Sequence, residues 1–197
     1  MLAALLVAAA AAATDPHAAP LVDVAARAPR VLVDLRYATA DNFARAPLYS
    51  PGARCLLAAP IAERVARVEA RLEKIGLRLK AWDCYRPLSV QRELWKRFPR
   101  RGYVADPANG SLHNRGTALD ATVVALDGAP VAVPTDFDAF TPAAWADAPC
   151  PPEAAKNRAA LAAAMRAENF TQNRHEWWHF GARNGKLFPV RDEPIAP

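Results

Sequence analysis

Hydrophobic and polar positions alternate with two different periods along this chain. Val31 to Tyr37 (VLVDLRY) and Leu77 to Trp82 (LRLKAW) alternate residue by residue and read as strands. Between them, a polar, turn-rich stretch runs to Pro60. From Pro60 to Gly76 the period becomes helical. Ile61, Val65, Val68, Leu72 and Ile75 form one stripe, Pro60 suits the first helical position, and Gly76 suits a C-terminal stop. Ser89 to Phe98 reads as a short helix with Ser89 as its N-cap. Ala118 to Leu126 is a β-rich run behind the turn former Gly116. Pro130 to Pro152 is proline-rich and aperiodic, a long loop of the kind that often walls a pocket. Pro152 to Glu168 is an alanine-rich helix. Trp177 to Phe180 is aromatic and strand-like, and Asn184-Gly185 predicts a hairpin turn after it. Helices and strands mix without a regular β-α-β alternation. The expected class is α+β, with a small, mainly antiparallel sheet flanked by helices.

The 197 residues are near the usual size of one domain, and 52% hydrophobic with 23% charged is ordinary for a globular chain. Such a domain buries about two thirds of its unfolded surface, so it needs no disulfide framework. The net charge of +5 is scattered rather than clustered, so a nucleic-acid partner is not expected. No apolar run reaches the ~18 residues needed to cross a bilayer, so stable membrane insertion is not expected either. Met1 to Ala13 is wholly apolar and ends at Thr14-Asp15-Pro16. It reads as the core of a secretory signal without a basic start, or as an alanine-rich extension. The expectation is a signal peptide or extension over residues 1–19 and a catalytic domain over 20–197. Such a protein is periplasmic or secreted, and cytoplasmic if the segment is not a signal. Cys55, Cys84 and Cys150 form no CxxC pair, which argues against a cysteine-rich zinc site. In an exported protein they allow one internal bridge, with three possible pairings.

Three patches carry candidate chemistry. In Ser111-Leu-His-Asn-Arg-Gly-Thr-Ala-Leu-Asp120, His113 precedes a turn and Asp120 lies on the following strand. An Asp among Ala, Leu and Val is costly to bury unless paired or metal-bound, and zinc takes both imidazole nitrogen and carboxylate oxygen. The pair alone is weak evidence, since a turn His and a hydrogen-bonded Asp look the same. The second patch, His175-Glu-Trp-Trp-His179, spells HExxH, the helical zinc-protease motif. Its aromatic run prefers a strand, however, and little helix can follow Gly181. In a strand Glu176 and His179 point to opposite faces unless a bulge or bend intervenes, so spacing does not settle which His binds metal. Taken together, the patches form a consistent site of His113, Asp120 and His179. Three ligands with one open position make a catalytic rather than a structural zinc, one ion per subunit. Glu176 can then take a proton from the water at the open position. His175 reads as an exposed neighbour. The third patch is Trp82-Asp-Cys-Tyr-Arg-Pro87, where Arg86 leaves a strand and can stabilise an oxyanion or sit in a structural ion pair.

These patches resemble the VanX-type D-alanyl-D-alanine dipeptidases, zinc enzymes of the fold shared by lysostaphin-like and D-Ala-D-Ala-cleaving peptidases. The motifs are S-x-H-x-x-G-x-A-x-D at Ser111 to Asp120, E-W-W-H-F at Glu176 to Phe180, and D-x-Y-R-P at Asp83 to Pro87. The first two recur across D-Ala-D-Ala carboxypeptidases and endopeptidases. Asp34 to Phe43, with Leu48-Tyr49 after it, resembles the dipeptidases specifically. The resemblance implies a zinc cleft on one face of the sheet, with the ion on His113, Asp120 and His179. It implies Glu176 as base and then acid, and Arg86 as transition-state stabiliser. Ser111, Tyr37 and the Phe137-Asp138 segment fall where that family builds its substrate pocket, with Asp138 toward the substrate ammonium. The implied substrate is a small dipeptide, D-Ala-D-Ala. The alternatives are a D,D-carboxypeptidase or peptidoglycan endopeptidase with the same zinc site, or a non-catalytic zinc-bearing binding module. Oligomeric state is not legible.

Overall fold

A computed structural model describes residues 15–100 and 102–196; the apolar run of Met1 to Ala13 lies outside them. The chain opens with β1 (Leu21–Asp23) and the single-turn α1 (Val24–Arg27), then β2 (Leu32–Val33). A long irregular stretch leads to β3 (Leu56–Ala58), α2 (Ala59–Glu73), β4 (Leu77–Asp83) and α3 (Leu88–Arg97). After another loop come β5 (Ala118–Ala125), α4 (Pro152–Ala167), β6 (Phe170–Gln172) and β7 (His179–Ala182). Strands β2-β4-β5-β7-β6 form a five-stranded sheet in that order, and β1 pairs with β3 in a separate ribbon. Every pairing is antiparallel except β2 with β4, which makes the chain α+β with a mainly antiparallel sheet.

Helix α2 follows from its apolar stripe: Ile61, Val65, Val68 and Leu72 are wholly buried. Ile75 departs from that stripe. The helix ends at Glu73, Gly76 turns at φ +80°, and Ile75 is left 60% exposed. Helices α2 and α4 pack against β4 and β5, and no side chain of either helix lines the cavity described below.

Several local expectations are corrected. The strand expected over Val31 to Tyr37 is only Leu32–Val33, because the chain turns through a 3₁₀ helix at Arg36–Ala38 and points Tyr37 inward. Ser89 does not cap α3; its own N–H donates to Asp192 Oδ1 at 2.7 Å, so the cap comes from the C-terminal segment. No strand follows Asn184-Gly185; a 3₁₀ turn at Gly185–Leu187 follows instead. A side chain at position 185 would meet Thr117 Oγ1 at 2.6 Å, which holds this turn close against the sheet. Of the three possible cysteine pairings the structure contains Cys55–Cys84, with Cys150 free. Residues 15–19 join the folded body: the His17 ring packs edge-on against Phe188, and the Ala19 carbonyl accepts from Arg191.

Candidate metal centre

The register of three strands builds the site. Asp120 of β5 stands opposite Asp83 of β4 on one side and opposite His179 of β7 on the other. Directly opposed residues of antiparallel strands project to the same face, so these side chains share one. A register irregularity between Ala81 and Asp83 bends the end of β4 into this row. His113 arrives from a 3₁₀ turn, His113–Arg115, that ends in the left-handed Gly116 (φ +64°). A Cβ at position 116 would lie 2.5 Å from Leu21 Cδ2 and 3.0 Å from the Ala58 nitrogen, so the turn requires glycine.

Three donor atoms converge there. His179 Nδ1 lies 2.8 Å from Asp120 Oδ1 and 3.1 Å from His113 Nε2, and His113 Nε2 lies 3.4 Å from Asp120 Oδ1. Four-coordinate zinc holds its ligands ~2.0–2.1 Å away, which separates ligand atoms by roughly 3.3 Å. The observed triangle fits that spacing, and two imidazoles with a carboxylate fit a zinc-like cation. His113 Nδ1 faces the Cys84 carbonyl at 2.6 Å. A carbonyl only accepts, so Nδ1 carries the proton and the Nε2 lone pair faces the site. Burial alone would raise the Asp120 pKa; the adjacent His113 and His179 outweigh it and hold the carboxyl well below its usual range.

Glu176 enters the same cavity. Residues 177–178 form a turn rather than a strand, and the His179 N–H donates to the Glu176 carbonyl at 3.2 Å. This is the bend that lets Glu176 and His179 face one site. Asn173 locks it: its Oδ1 accepts from His175 N–H at 3.1 Å, and its Nδ2 donates to Glu176 Oε2 at 2.7 Å. Burial first, and the charges of Asp120 and Asp138 after it, push the Glu176 carboxyl up to about 7. Such a group can accept and return a proton near neutrality.

Arg86 is buried and paired, and it also lines the cavity. Its Nε and Nη2 donate to Asp83 Oδ2 at 3.1 and 2.6 Å, its Nη1 donates to Gln91 Oε1 at 2.8 Å, and the guanidinium lies 4.8 Å from the Tyr37 ring centre. Asp83, wholly buried, also accepts from Tyr49 Oη at 2.5 Å. A guanidinium has five N–H donors; with three used, one on each terminal nitrogen remains for the cavity.

The cavity has a volume of about 260 Å³, below the range usual for drug-sized ligands. At one side Asp138, in the left-handed region at φ +57°, accepts from Tyr37 Oη at 3.3 Å and from Phe43 N–H at 3.1 Å. Burial raises its pKa to about 7. Ser111 also lines the cavity, and its Oγ accepts from the His113 N–H at 2.9 Å.

All the residues singled out from sequence therefore meet in one place. His175 is the exception foreseen, but it is half-buried rather than exposed, packed between Trp145 and Tyr103 with ring centres at 5.3 and 6.3 Å. It is not among the converging donors. Asp83, Gln91, Tyr49 and Asn173 had no role assigned from sequence. Asp83 sits in a quoted motif three residues before Arg86, a spacing that could have revealed the pair. Nothing local marks Tyr49 as its partner.

Comparison with known proteins places the chain in a family. Residues 17–192 match the peptidase M15 family model described as D-ala-D-ala dipeptidase. The chain is 36% identical over 171 residues to a D-alanyl-D-alanine dipeptidase of Escherichia coli, covering 86% of this chain and 88% of that one. It is 31% identical over 179 residues to one from Streptomyces coelicolor (75% and 83%) and 28% identical over 187 residues to one from Enterococcus faecium (82% and 86%). With the family match spanning most of its length and relatives aligned nearly end to end, the chain belongs to the peptidase M15 family of D-Ala-D-Ala dipeptidases.

Proposed function

We propose that the protein hydrolyses D-Ala-D-Ala to two molecules of D-alanine, using a zinc ion on His113, Asp120 and His179. The observation that carries this reading is the convergence of those three donors in a cavity that also holds Glu176 and Arg86, in a chain of this family. A zinc ion there would supply Lewis acidity and lower the pKa of water toward ~7. Glu176, with Oε2 fixed by Asn173, takes the proton of the attacking water and returns it to the leaving amine. Arg86, held rigid by Asp83 and Gln91, presents its remaining N–H groups to the developing oxyanion without reorganising. Asp138 faces the substrate ammonium. The small cavity, together with that charge recognition, disfavours longer or N-blocked peptides.

We further assign the catalytic domain to residues 20–197, with residues 15–19 packed on it as a short N-terminal segment, and export to the protein, with the apolar start as its leader. The Cys55–Cys84 bridge supports an oxidising compartment. The contacts of His17 and Ala19 favour a cleavage point before Asp15. Among the described residues, no helix is long and apolar enough to cross a membrane.

The deciding experiment measures zinc content and hydrolysis of D-Ala-D-Ala beside its N-acetylated analogue. Stoichiometric zinc with preference for the free dipeptide is expected. Preference for the blocked peptide would make the protein a carboxypeptidase, and zinc without hydrolysis of either would make it a binding module.

A further inference from the structure

The Cys55–Cys84 bridge lies next to the donor triangle. Cys84 directly follows β4 and stands two residues before Arg86; Cys55 directly precedes β3. The Cys84 carbonyl is the one that receives His113 Nδ1 at 2.6 Å. Strand β3 touches both halves of this arrangement. The Leu56 carbonyl accepts from Tyr85 N–H at 2.8 Å, and Ala58 N–H donates to the Gly116 carbonyl at 2.9 Å. The two halves are also laced to each other: Arg86 N–H donates to the His113 carbonyl at 3.1 Å, and Asn114 Nδ2 donates to the Arg86 carbonyl at 2.8 Å. A competing acceptor is near, since Asp83 Oδ2 lies 3.5 Å from His113 Nδ1.

We propose that the Cys55–Cys84 bridge is a positioning device for the metal site, tethering Cys84 to β3 so that its carbonyl stays on His113 Nδ1 and His113 Nε2 stays aimed between Asp120 and His179. This rests on the metal reading above. The second partner of a ligating histidine fixes its tautomer and ring orientation, and losing such a partner typically costs metal affinity 10–100-fold. Without the tether, the segment between β4 and Arg86 has more freedom and the carbonyl can drift. His113 Nδ1 then turns to Asp83, which loosens the Asp83–Arg86 pair as well. One covalent link thus serves both a metal donor and the cationic residue of the cavity. A bridge that only closed a loop would add stability and leave metal affinity alone.

The test uses a Cys150→Ser background so that only the bridge is read. Zinc affinity of the folded protein is measured by competition with a chromophoric chelator, with and without Cys55→Ser/Cys84→Ser. The expected result is zinc binding weakened about 10–100-fold. Nitrogen NMR of the metal-free protein should also show the His113 Nδ1–H resonance shift, as its acceptor changes from the Cys84 carbonyl to Asp83. Leu161→Ala, in the core of α4 and away from the site, is the control: it lowers Tm and keeps zinc affinity. A bridge-free protein with lower Tm but zinc affinity within about twofold of its parent would overturn the proposal. If the double variant does not fold, the parent is reduced natively with a phosphine, which becomes its oxide as the two thiols form. Unchanged affinity there overturns the proposal equally. A parent that binds no zinc would overturn the metal reading instead; the His113 Nδ1–H resonance with and without the bridge then tests the positioning role by itself, and an unchanged resonance overturns it.

Discussion

Asp120 stands directly across the β5–β7 ladder from His179, with its Oδ1 2.8 Å from His179 Nδ1. These residues are 59 positions apart, yet strand register alone makes them neighbours on one face. His113 completes the set from a turn rather than a strand. The centre therefore needs both the register of the sheet and the glycine that ends that turn.

The ligand assignment separates two readings of the HExxH spelling. His113→Ala or His179→Ala should abolish stoichiometric zinc, while His175→Ala should keep it, because His175 packs between Trp145 and Tyr103 instead of joining the donors. Metal analysis of the purified variants reads this directly. Zinc lost from His175→Ala but kept in His113→Ala would refute the assignment.

Glu176→Gln preserves shape and removes the basic carboxylate. It should fold and hold zinc while kcat falls by roughly 10²–10⁴-fold. Steady-state kinetics beside zinc content check this, and full activity would refute the proton-transfer role.

Arg86→Ala should also keep zinc, with the loss mainly in kcat and worth roughly 10²–10³-fold. A near-normal kcat with a large rise in KM would instead place Arg86 on the ground-state carboxylate. Asp83→Ala leaves the Arg86 charge buried without its partner, a change that typically costs about 3–5 kcal/mol. Urea unfolding of that variant should show the loss.

Asp138 gives a pH signature. Its folded pKa is raised to about 7 by burial, so between the ordinary carboxyl range and about 7 the folded state binds more protons than the unfolded one. Stability of the metal-free protein should therefore fall as pH rises through that window, by an amount on the order of a few kcal/mol. Asp138→Asn should make the fall shallower, leaving the part that Glu176, also raised to about 7 by burial, contributes. It should also raise KM for the dipeptide if, as proposed above, the ionised carboxylate receives the substrate ammonium. Thermal unfolding of both proteins between pH 4 and 8 tests the first point.

Export predicts processing. Protein recovered from the periplasm or medium should lack the apolar start, and its mass should place the new N-terminus before Asp15. An intact Met1 on cytoplasmic protein would refute the leader.

Elements whose faces repeat locally can be read directly from the residues. The stripe of α2, the alternation of β4 and the β-rich run of β5 are each legible within a few residues, because burial of one face imposes a period on neighbouring positions. The donors were legible too, since the chain has only four histidines and all three donors fall in recognisable motifs. Relationships between distant positions emerge only in the folded chain. Spacing alone could not choose Cys55–Cys84 among three pairings. It could not foresee that Asp192 would cap α3 from 103 residues away, or that Tyr49 would bind Asp83. Local pattern was also overruled where packing was stronger. The alternating run after Val33 turns inward to set Tyr37 against Asp138, and Trp177-Trp178 bends so that Glu176 can face the metal donors. In each case the energy lies in a contact made across the fold, and a linear pattern carries no record of it.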